Sequence, residues 1–201
     1  MKRIRVSLLL LTCLFYPPFA LTQEEAPKPS YRNGDSWQFK AREWDMIGKT
    51  SNSIDGTYEL SMTDGRLKVF VLSGDQKDEL EPRPNTLIAL LGLTRNLDFP
   101  LSVGKKWNYN YKLRLPGATR ERERKVEVTV VGAEQITTAA GTFRVYKLEM
   151  YDSADAKDTF VTTYWYSPET KSVVKYFFDS SVGAGAGGKR EIELTKFNPA
   201  K

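Results

Sequence analysis

The chain has 201 residues, of which 40% are hydrophobic and 27% are charged, and it contains one cysteine and no histidine. That length suits one domain or two small ones, and the composition is that of a globular protein rather than a disordered chain. The lack of histidine excludes Ser-His-Asp and Cys-His catalytic relays, histidine-ligated zinc or haem, and an imidazole switch near neutral pH.

The first twenty residues have the pattern of a secretory signal peptide. A basic start is followed by an apolar, leucine-rich run that ends at Pro17 and Pro18. The run is shorter than the roughly twenty apolar residues that span a bilayer. We therefore expect cleavage after Ala20, export, and a location in the periplasm or at the outer membrane of a bacterium.

Cys13 leaves a lipid-anchored form open as an alternative, although Thr12 is bulkier than the residue that normally precedes a lipidated cysteine. Removal of residues 1–20 takes away this cysteine and three basic residues, so that 27 basic and 25 acidic side chains remain. The mature chain would then be held together by packing rather than by disulfides. Its net charge of +2 is not clustered, and we expect no nucleic-acid partner, no metal or other cofactor, and no transmembrane span.

A weak repeat subdivides the mature chain. The pattern G-x-x-W-x-aromatic begins at Gly34 and again at Gly104. Residues 21–30 have the composition of a polar linker. We expect one β domain after this linker, with two fused β-units inside it: 31–201 for the domain, 31–80 and 99–197 for the units.

Residues 107–115 show the strict alternation of a half-buried antiparallel strand. Trp107, Tyr109 and Tyr111 fall on one face, and the asparagine and lysine residues between them fall on the other. Shorter stretches of the same kind predict further strands at 36–44, 56–62, 66–73, 124–131, 142–150, 158–166, 171–179 and 190–197. The pattern predicts a mainly β protein built on a single curved antiparallel sheet, an open half-barrel, with at most one short helix.

Three local signals refine this expectation. Asp64-Gly65 predicts a tight hairpin turn between two strands. Within 142–150 the apolar residues change face, which predicts a β-bulge or a strand that is covered on both sides. The apolar stretch 87–93 is the candidate for a short helix, either a plug over the sheet or a movable lid.

Three motifs in the second half of the chain point to a known family. They are P-L-x-x-G-x-x-W at 100–107, A-G-T-F at 140–143 and W-Y-S-P at 165–168. With these motifs, residues 95–180 resemble a poorly characterised family of exported bacterial proteins, of the TapB-like or domain-of-unknown-function type. The resemblance implies an architecture similar to the open half-barrels of the periplasmic lipoprotein carriers, whose concave face holds an acyl chain or a hydrophobic partner. It implies no catalytic residues.

Carboxylates are the groups on which catalysis would have to rest. Asp45, Asp55, Glu127 and Glu149 are candidates, but their spacing brings no two of them together. The segment 152–158 carries three aspartates at a spacing unlike that of a calcium loop. A hydrolase that acts on an envelope polymer is the least favoured alternative, and we expect a protein that is not an enzyme.

Aromatic side chains are the remaining candidates for a binding surface. Alternation allows six of them to line one concave face: Trp107, Tyr109, Tyr111, Phe160, Tyr164 and Tyr166. The same residues would also fit a packed core, and the sequence leaves that interpretation open. We predict an exported, non-enzymatic envelope protein that binds a hydrophobic small molecule or partner, an acyl chain or a lipidated protein, on this face. The alternative is a structural or assembly module that docks an envelope protein in the periplasm.

Overall fold

The computed structural model describes residues 25–44, 56–80, 96–113, 119–155, 158–179 and 188–201. The expected signal peptide and the helix expected at 87–93 lie outside these residues. All regular structure in the described ranges is β, in ten strands: β1 Ser36–Trp44, β2 Gly56–Thr63, β3 Arg66–Ser73, β4 Gln76–Leu80, β5 Lys106–Leu113, β6 Arg122–Thr138, β7 Gly141–Asp155, β8 Asp158–Ser167, β9 Ser172–Asp179 and β10 Lys189–Asn198.

The ten strands belong to one antiparallel sheet, in the order β4-β3-β2-β1-β10-β9-β8-β7-β6-β5. The chain builds β1 to β4 outward from the middle of the sheet, begins again at the opposite edge with β5, and returns to the middle, where β10 pairs with β1. The sheet is not closed into a barrel, because β4 and β5 are its two edges. The fold class expected from the sequence is therefore confirmed.

Nine of these strands lie where the alternation predicts them, and β4 is the exception. The sequence of β4 is mainly charged and polar, so it has no apolar alternation to recognise. Charged side chains are typical of an edge strand, where they discourage pairing with another chain. The predicted hairpin between β2 and β3 is confirmed, since Asp64 has a φ of 51° and Gly65 a φ of 70°, as a two-residue type I′ turn requires.

One face of the sheet is apolar across its width, and we call it the apolar face. Residues directly opposite each other in neighbouring strands point to the same side of a sheet. The register therefore follows one row of this face across six strands: Val130, Leu148, Tyr164, Tyr176, Ile192 and Ala41. All six side chains are buried, so the hydrophobic effect stabilises the sheet mainly through this face.

The long hairpin of β6 and β7 bends at a β-bulge. The register of β6 shifts within residues 130–132, and beyond the shift Val145 and Tyr146 of β7 are both buried although they point to opposite sides. A bulge turns its strand, and the N–H of Ala139 at the hairpin tip donates to Oε1 of Glu193 in β10 at 3.1 Å. The extra residue of the bulge lies in β6 and not within 142–150, so of the two predicted alternatives the structure supports the second, a stretch of β7 that is covered on both sides.

Both copies of the sequence repeat begin a strand in the same way. Gly34 and Gly104 have φ values of 97° and 89°, which glycine adopts without strain, and they stand just before β1 and β5. Trp37 and Trp107 follow three residues later, and both point to the apolar face. The division of the domain into two fused units stays a prediction.

The carboxylate of Asp35 joins parts of the chain that are far apart in sequence, and we call this the Asp35 clasp. The side chain is fully buried and accepts hydrogen bonds from the N–H of Arg32 at 2.8 Å, from the N–H of Ala200 at 2.9 Å and from the ammonium of Lys171 at 2.9 Å. Beside it, Trp37 donates from Nε1 to a carbonyl of the β8–β9 turn at 2.7 Å. The clasp thus holds the start of β1 against that turn and against the end of the chain.

Asp35→Asn is expected to lower the free energy of unfolding by about 3 kcal/mol, because the two N–H donors and the Lys171 ammonium lose the buried carboxylate. Burial raises the pKa of Asp35, but the hydrogen bonds from Ala200 and Arg32 and the Lys171 ammonium outweigh it, so the pKa lies below its usual value. A carboxylate whose pKa is lowered by folding stabilises the fold fully at a pH above its pKa in the unfolded chain, which is about 4. This stabilisation is lost as the pH falls through the lower pKa of the folded state. Urea unfolding of both proteins at several pH values measures the difference.

Asp75→Asn is the matched control, because Asp75 is exposed in the β3–β4 turn. The control should leave the free energy of unfolding nearly unchanged at every pH. Equal losses in the two variants would show that the clasp contributes nothing specific.

Candidate functional site

The structure places all six aromatic residues predicted for the site on the apolar face. The register between β5 and β6 pairs Tyr109 with Val126, and that between β6 and β7 pairs Val126 with Asp152. Asp152 in turn lies opposite Phe160 of β8, so these residues form one row. The others lie at even-numbered spacings along the same strands, so they share this face: Trp107, Tyr111, Tyr164 and Tyr166.

The six residues differ in accessibility. Tyr164 and Tyr166 are 3% and 0% exposed and belong to the packed core. The remaining four are only partly buried and lie on β5 and β8: Trp107, Tyr109, Tyr111 and Phe160. We call these four residues the aromatic strip. The strip keeps part of its surface accessible, whereas the two core tyrosines present almost none.

A charged pair lies within the aromatic strip. Arg124 is 1% exposed, and its Nε donates to Oδ1 of Asp152 at 2.5 Å while its Nη2 donates to the carbonyl of the same residue at 3.1 Å. The hydroxyl of Tyr111 donates to Oδ2 of Asp152 at 2.5 Å. The guanidinium of Arg124 also stacks over the ring of Phe160, with its central carbon 4.4 Å from the ring centroid. The pair is therefore neutralised and fixed between two residues of the strip.

Met150 packs beneath the same region. Its sulfur accepts weak hydrogen bonds from the hydroxyl of Tyr164 at 3.5 Å and from that of Tyr109 at 3.8 Å. A polarisable thioether between two tyrosines is a favourable arrangement in a core. Met150 links the buried tyrosine to the partly exposed one.

Sequence reasoning missed Arg124 and Asp152, but a signal was present. Arg124 has the same strand parity as Val126 and Val128, and Asp152 has the same parity as Met150. In an alternating strand that parity assigns the charged residues to the apolar face. Two opposite charges on one apolar face, in neighbouring strands, indicate a buried pair.

Burial is the main cause of the raised tyrosine pKa values on this face. It raises the pKa of Tyr111, and the Asp152 carboxylate, which accepts its proton in a hydrogen bond, raises it further. Burial and the charge of Asp152 also raise the pKa of Tyr109. The pKa values of Tyr164 and Tyr166 are raised by burial as well. These phenols stay neutral at physiological pH, and the hydroxyls of Tyr109, Tyr111 and Tyr164 are hydrogen-bonded.

The carboxylates considered for catalysis do not form a site in the described residues. Glu127 and Glu149 lie on the face opposite the apolar one, and each pairs with a lysine of its own strand. Asp45 and Asp55 lie outside the described residues. Within those residues no three acidic, cysteine or histidine side chains are grouped so as to hold a metal ion.

A cleft lies at the edge of the apolar face, beside the start of β5 and the end of β8, and we call it the N-terminal cleft. Its volume is about 620 Å³. Residues of two segments line it: Pro27, Lys28, Pro29, Tyr31, Leu97, Asp98, Phe99 and Pro100. The ring of Phe99 packs edge-to-face on Tyr166, with the centroids 5.4 Å apart. The cleft was not predicted, because it depends on two segments without regular structure.

A family model for proteins of unknown function, DUF3108, matches residues 51–190. The chain belongs to this family. The sequence motifs predicted a family of the TapB-like or domain-of-unknown-function type. Membership in DUF3108 confirms the second description and does not confirm the TapB-like name. A comparison with curated protein sequences finds no match.

Three solved structures are similar to this DUF3108 chain. A protein from Bacteroides fragilis, described as exported and as having a YmcC-like fold, shares 13% identity over 86% of this chain and 99% of its own, with a TM-score of 0.40. A protein from Parabacteroides distasonis, described as a lipoprotein, shares 12% identity over 88% and 100%, with a TM-score of 0.41. The hypothetical lipoprotein YmcC of Escherichia coli shares 13% over 82% and 86%, also with 0.41.

At this level of similarity the three structures carry no argument about the function of the DUF3108 chain. In the part of the chain that the structure describes, no helix is long and apolar enough to cross a membrane.

Asp152→Ala is expected to lower the free energy of unfolding by about 3 kcal/mol, because it leaves the buried Arg124 guanidinium without its partner. The matched control is Glu127→Ala, which removes a carboxylate from the exposed face of the neighbouring strand. Breaking such an exposed pair should leave the free energy of unfolding unchanged within error. Chemical denaturation measures both, and similar effects in the two variants would contradict a buried pair.

Tyrosine ionisation provides a second measurement. Tyrosines of the described residues have raised pKa values in the fold, among them Tyr109, Tyr111, Tyr164 and Tyr166. In the unfolded chain they ionise near a pH of about 10, so stability present below that pH should be lost as the pH rises above it. Ultraviolet absorbance at alkaline pH should show these phenols ionising only when denaturant is added. Ionisation of every tyrosine in the native protein near a pH of about 10 would contradict this.

Proposed function

We propose that the protein is an exported, non-enzymatic envelope protein that binds a hydrophobic ligand, an acyl chain or a lipidated partner, on the aromatic strip. One observation carries the proposal. The apolar face is packed along its central rows, but Trp107, Tyr109, Tyr111 and Phe160 keep part of their rings accessible near the β5 edge.

Partly exposed aromatic rings provide the free energy for such binding. A buried aromatic side chain removes on the order of 150–250 Å² from water, and each Å² of apolar surface contributes about 25 cal/mol. The three rings of β5, with Phe160 three strands away beyond the Arg124 guanidinium, therefore make a surface on which an apolar chain gains affinity at every contact. The rings stand on strands, so little ordering is needed when a ligand binds.

The polar groups of the strip favour binding over catalysis. Arg124, Asp152 and Tyr111 satisfy one another through hydrogen bonds of 2.5 Å. A general acid or base needs a pKa near the working pH and access to substrate, whereas the phenol of Tyr111 has a raised pKa and already donates its proton to Asp152. We infer that these groups position the rings.

One observation supports the alternative, an assembly module that docks an envelope protein. β5 is an edge of the sheet, and its residues Asn108, Asn110 and Lys112 are exposed on the face opposite the strip. An edge strand can accept an extended segment of a partner as a further strand. The two candidates predict different bound molecules. Protein isolated from its own envelope should carry a lipid or a lipidated partner in the first case and a docked polypeptide in the second.

Tyr111→Asp is expected to weaken the binding of a fluorescent fatty-acid probe by about tenfold, because it removes one ring and adds a charge to the strip. Tyr109→Ser is a second variant, which removes a ring without adding charge. The matched control is Asn110→Asp, which places the same charge on the exposed face of the same strand. Fluorescence titration measures affinity, and circular dichroism confirms that each variant folds.

The proposal is supported if the wild type and the control bind the probe and both strip variants lose this binding. No uptake, together with no co-purifying lipid in native mass spectrometry, rejects it. A co-purifying polypeptide that is released by changes in β5 favours the docking module.

A further inference from the structure

The N-terminal cleft has a rigid base. Ala26 and Leu101 pair as an antiparallel bridge, and each donates its N–H to the carbonyl of the other at 2.8 Å. Both side chains are buried, at 1% and 0% exposure. The two segments that line the cleft are therefore fixed to each other at one end, and the space between them is built into the fold.

The aromatic walls of the cleft are also held in place. Phe99 packs on the core residue Tyr166, with the ring planes inclined at 67°. Tyr31 packs edge-to-face on Trp37 with the centroids 5.7 Å apart, and its hydroxyl donates to the carbonyl of Lys171 at 3.1 Å. Walls that are fixed before a ligand arrives reduce the entropy lost on binding. With the three prolines and Leu97, they supply the apolar part of the lining of the cleft.

The two charged residues of the cleft differ in their partners. Asp98 is neutralised by Lys105, whose ammonium lies 3.0 Å from Oδ2 and also donates to the carbonyls of Asp98 and Pro100 at 2.6 and 2.9 Å. Lys28 is exposed and forms no ion pair with another described residue. Among the residues that the structure describes, the cleft therefore combines apolar walls with one uncompensated positive charge.

We propose that the N-terminal cleft binds a single-chain fatty acid, with the acyl chain between the apolar walls and the carboxylate at the Lys28 ammonium. The volume of about 620 Å³ lies in the range of roughly 300–1,000 Å³ that is usual for small-molecule sites. One ammonium matches the single charge of a carboxylate. Apolar walls with a few polar groups are the usual composition of such sites.

This site is lined by other residues than the aromatic strip, although the two adjoin at Trp107, whose Nε1 donates to the carbonyl of Asn96 at 3.0 Å, next to the cleft residue Leu97. Tyr166 beside the cleft and Phe160 in the strip are six residues apart along β8, which corresponds to about 20 Å. Tyr164 and Tyr166, which lie between the two sites, are buried. The inference therefore does not depend on ligand binding at the strip, and the two can be tested apart.

The test compares dodecanoate with dodecanol, which has the same chain length and no charge, by calorimetry on the mature protein. Lys28→Gln should weaken dodecanoate binding about two- to fivefold, the effect of one solvent-exposed ion pair, and leave dodecanol binding unchanged. The matched control is Lys40→Gln, since Lys40 is an exposed lysine on the opposite face of β1. This control should leave the affinity for both compounds unchanged.

A second variant and a mapping experiment locate the ligand. Pro29→Trp should fill the cleft and abolish binding of both compounds there, while thermal unfolding confirms the fold. A photoactivatable dodecanoate should crosslink to residues 27–31 and 97–100, as peptide mass spectrometry would show.

Crosslinks to β5 and β8, with affinity unchanged in both cleft variants, would overturn the cleft assignment and leave binding at the strip intact. No binding of either compound would overturn both. Equal weakening of dodecanol and dodecanoate by Lys28→Gln would show that the ammonium does not recognise the carboxylate. Displacement of both compounds by a polypeptide that occupies the cleft in the native envelope would assign it to a protein instead.

Discussion

The structure depends on one constraint, the burial of a single face of a single sheet. Ten strands contribute alternate residues to that face, so a shift of one residue in any pairing would exchange apolar for polar side chains. The row that runs from Val130 through Tyr164 to Ala41 shows how the register is kept across six strands. The bulges absorb the bending that the sheet needs while the apolar residues stay on one side.

The buried pair of Arg124 and Asp152 fits this constraint. Two buried charges are rarely more stabilising than apolar residues of the same size, because desolvation offsets their attraction. Either charge alone, however, would be buried without a partner. Only the observed register of β6 and β7 brings the guanidinium to the carboxylate, and Tyr111 of β5 donates a further hydrogen bond to that carboxylate. We infer that the pair helps to define the register at the end of the sheet where the aromatic strip begins.

Much of this architecture could be predicted from the sequence, because alternation is a local property. The alternation at 107–115 correctly placed Trp107, Tyr109 and Tyr111 on one face, and Asp64-Gly65 marked its hairpin. Burial could not be predicted in the same way. Tyr164 and Tyr111 have the same pattern in sequence, yet Tyr164 is enclosed by neighbouring strands while Tyr111 lies near an edge. Exposure depends on strand order, which is a property of the whole chain.

The same reasoning explains why the N-terminal cleft has no signature in the sequence. Its walls come from residues 27–31 and 97–100, which are about seventy residues apart and lack the alternation that identifies a strand. They meet because Ala26 pairs with Leu101 and because the Asp35 clasp holds the start of β1 beside the β8–β9 turn. The cleft and the aromatic strip are thus the two places where the packing of the apolar face gives way to accessible surface. The two surfaces differ in charge. In the strip, Asp152 neutralises Arg124, so an uncharged apolar group suits this surface. In the cleft, Lys28 is unpaired among the described residues, so an anion suits this one.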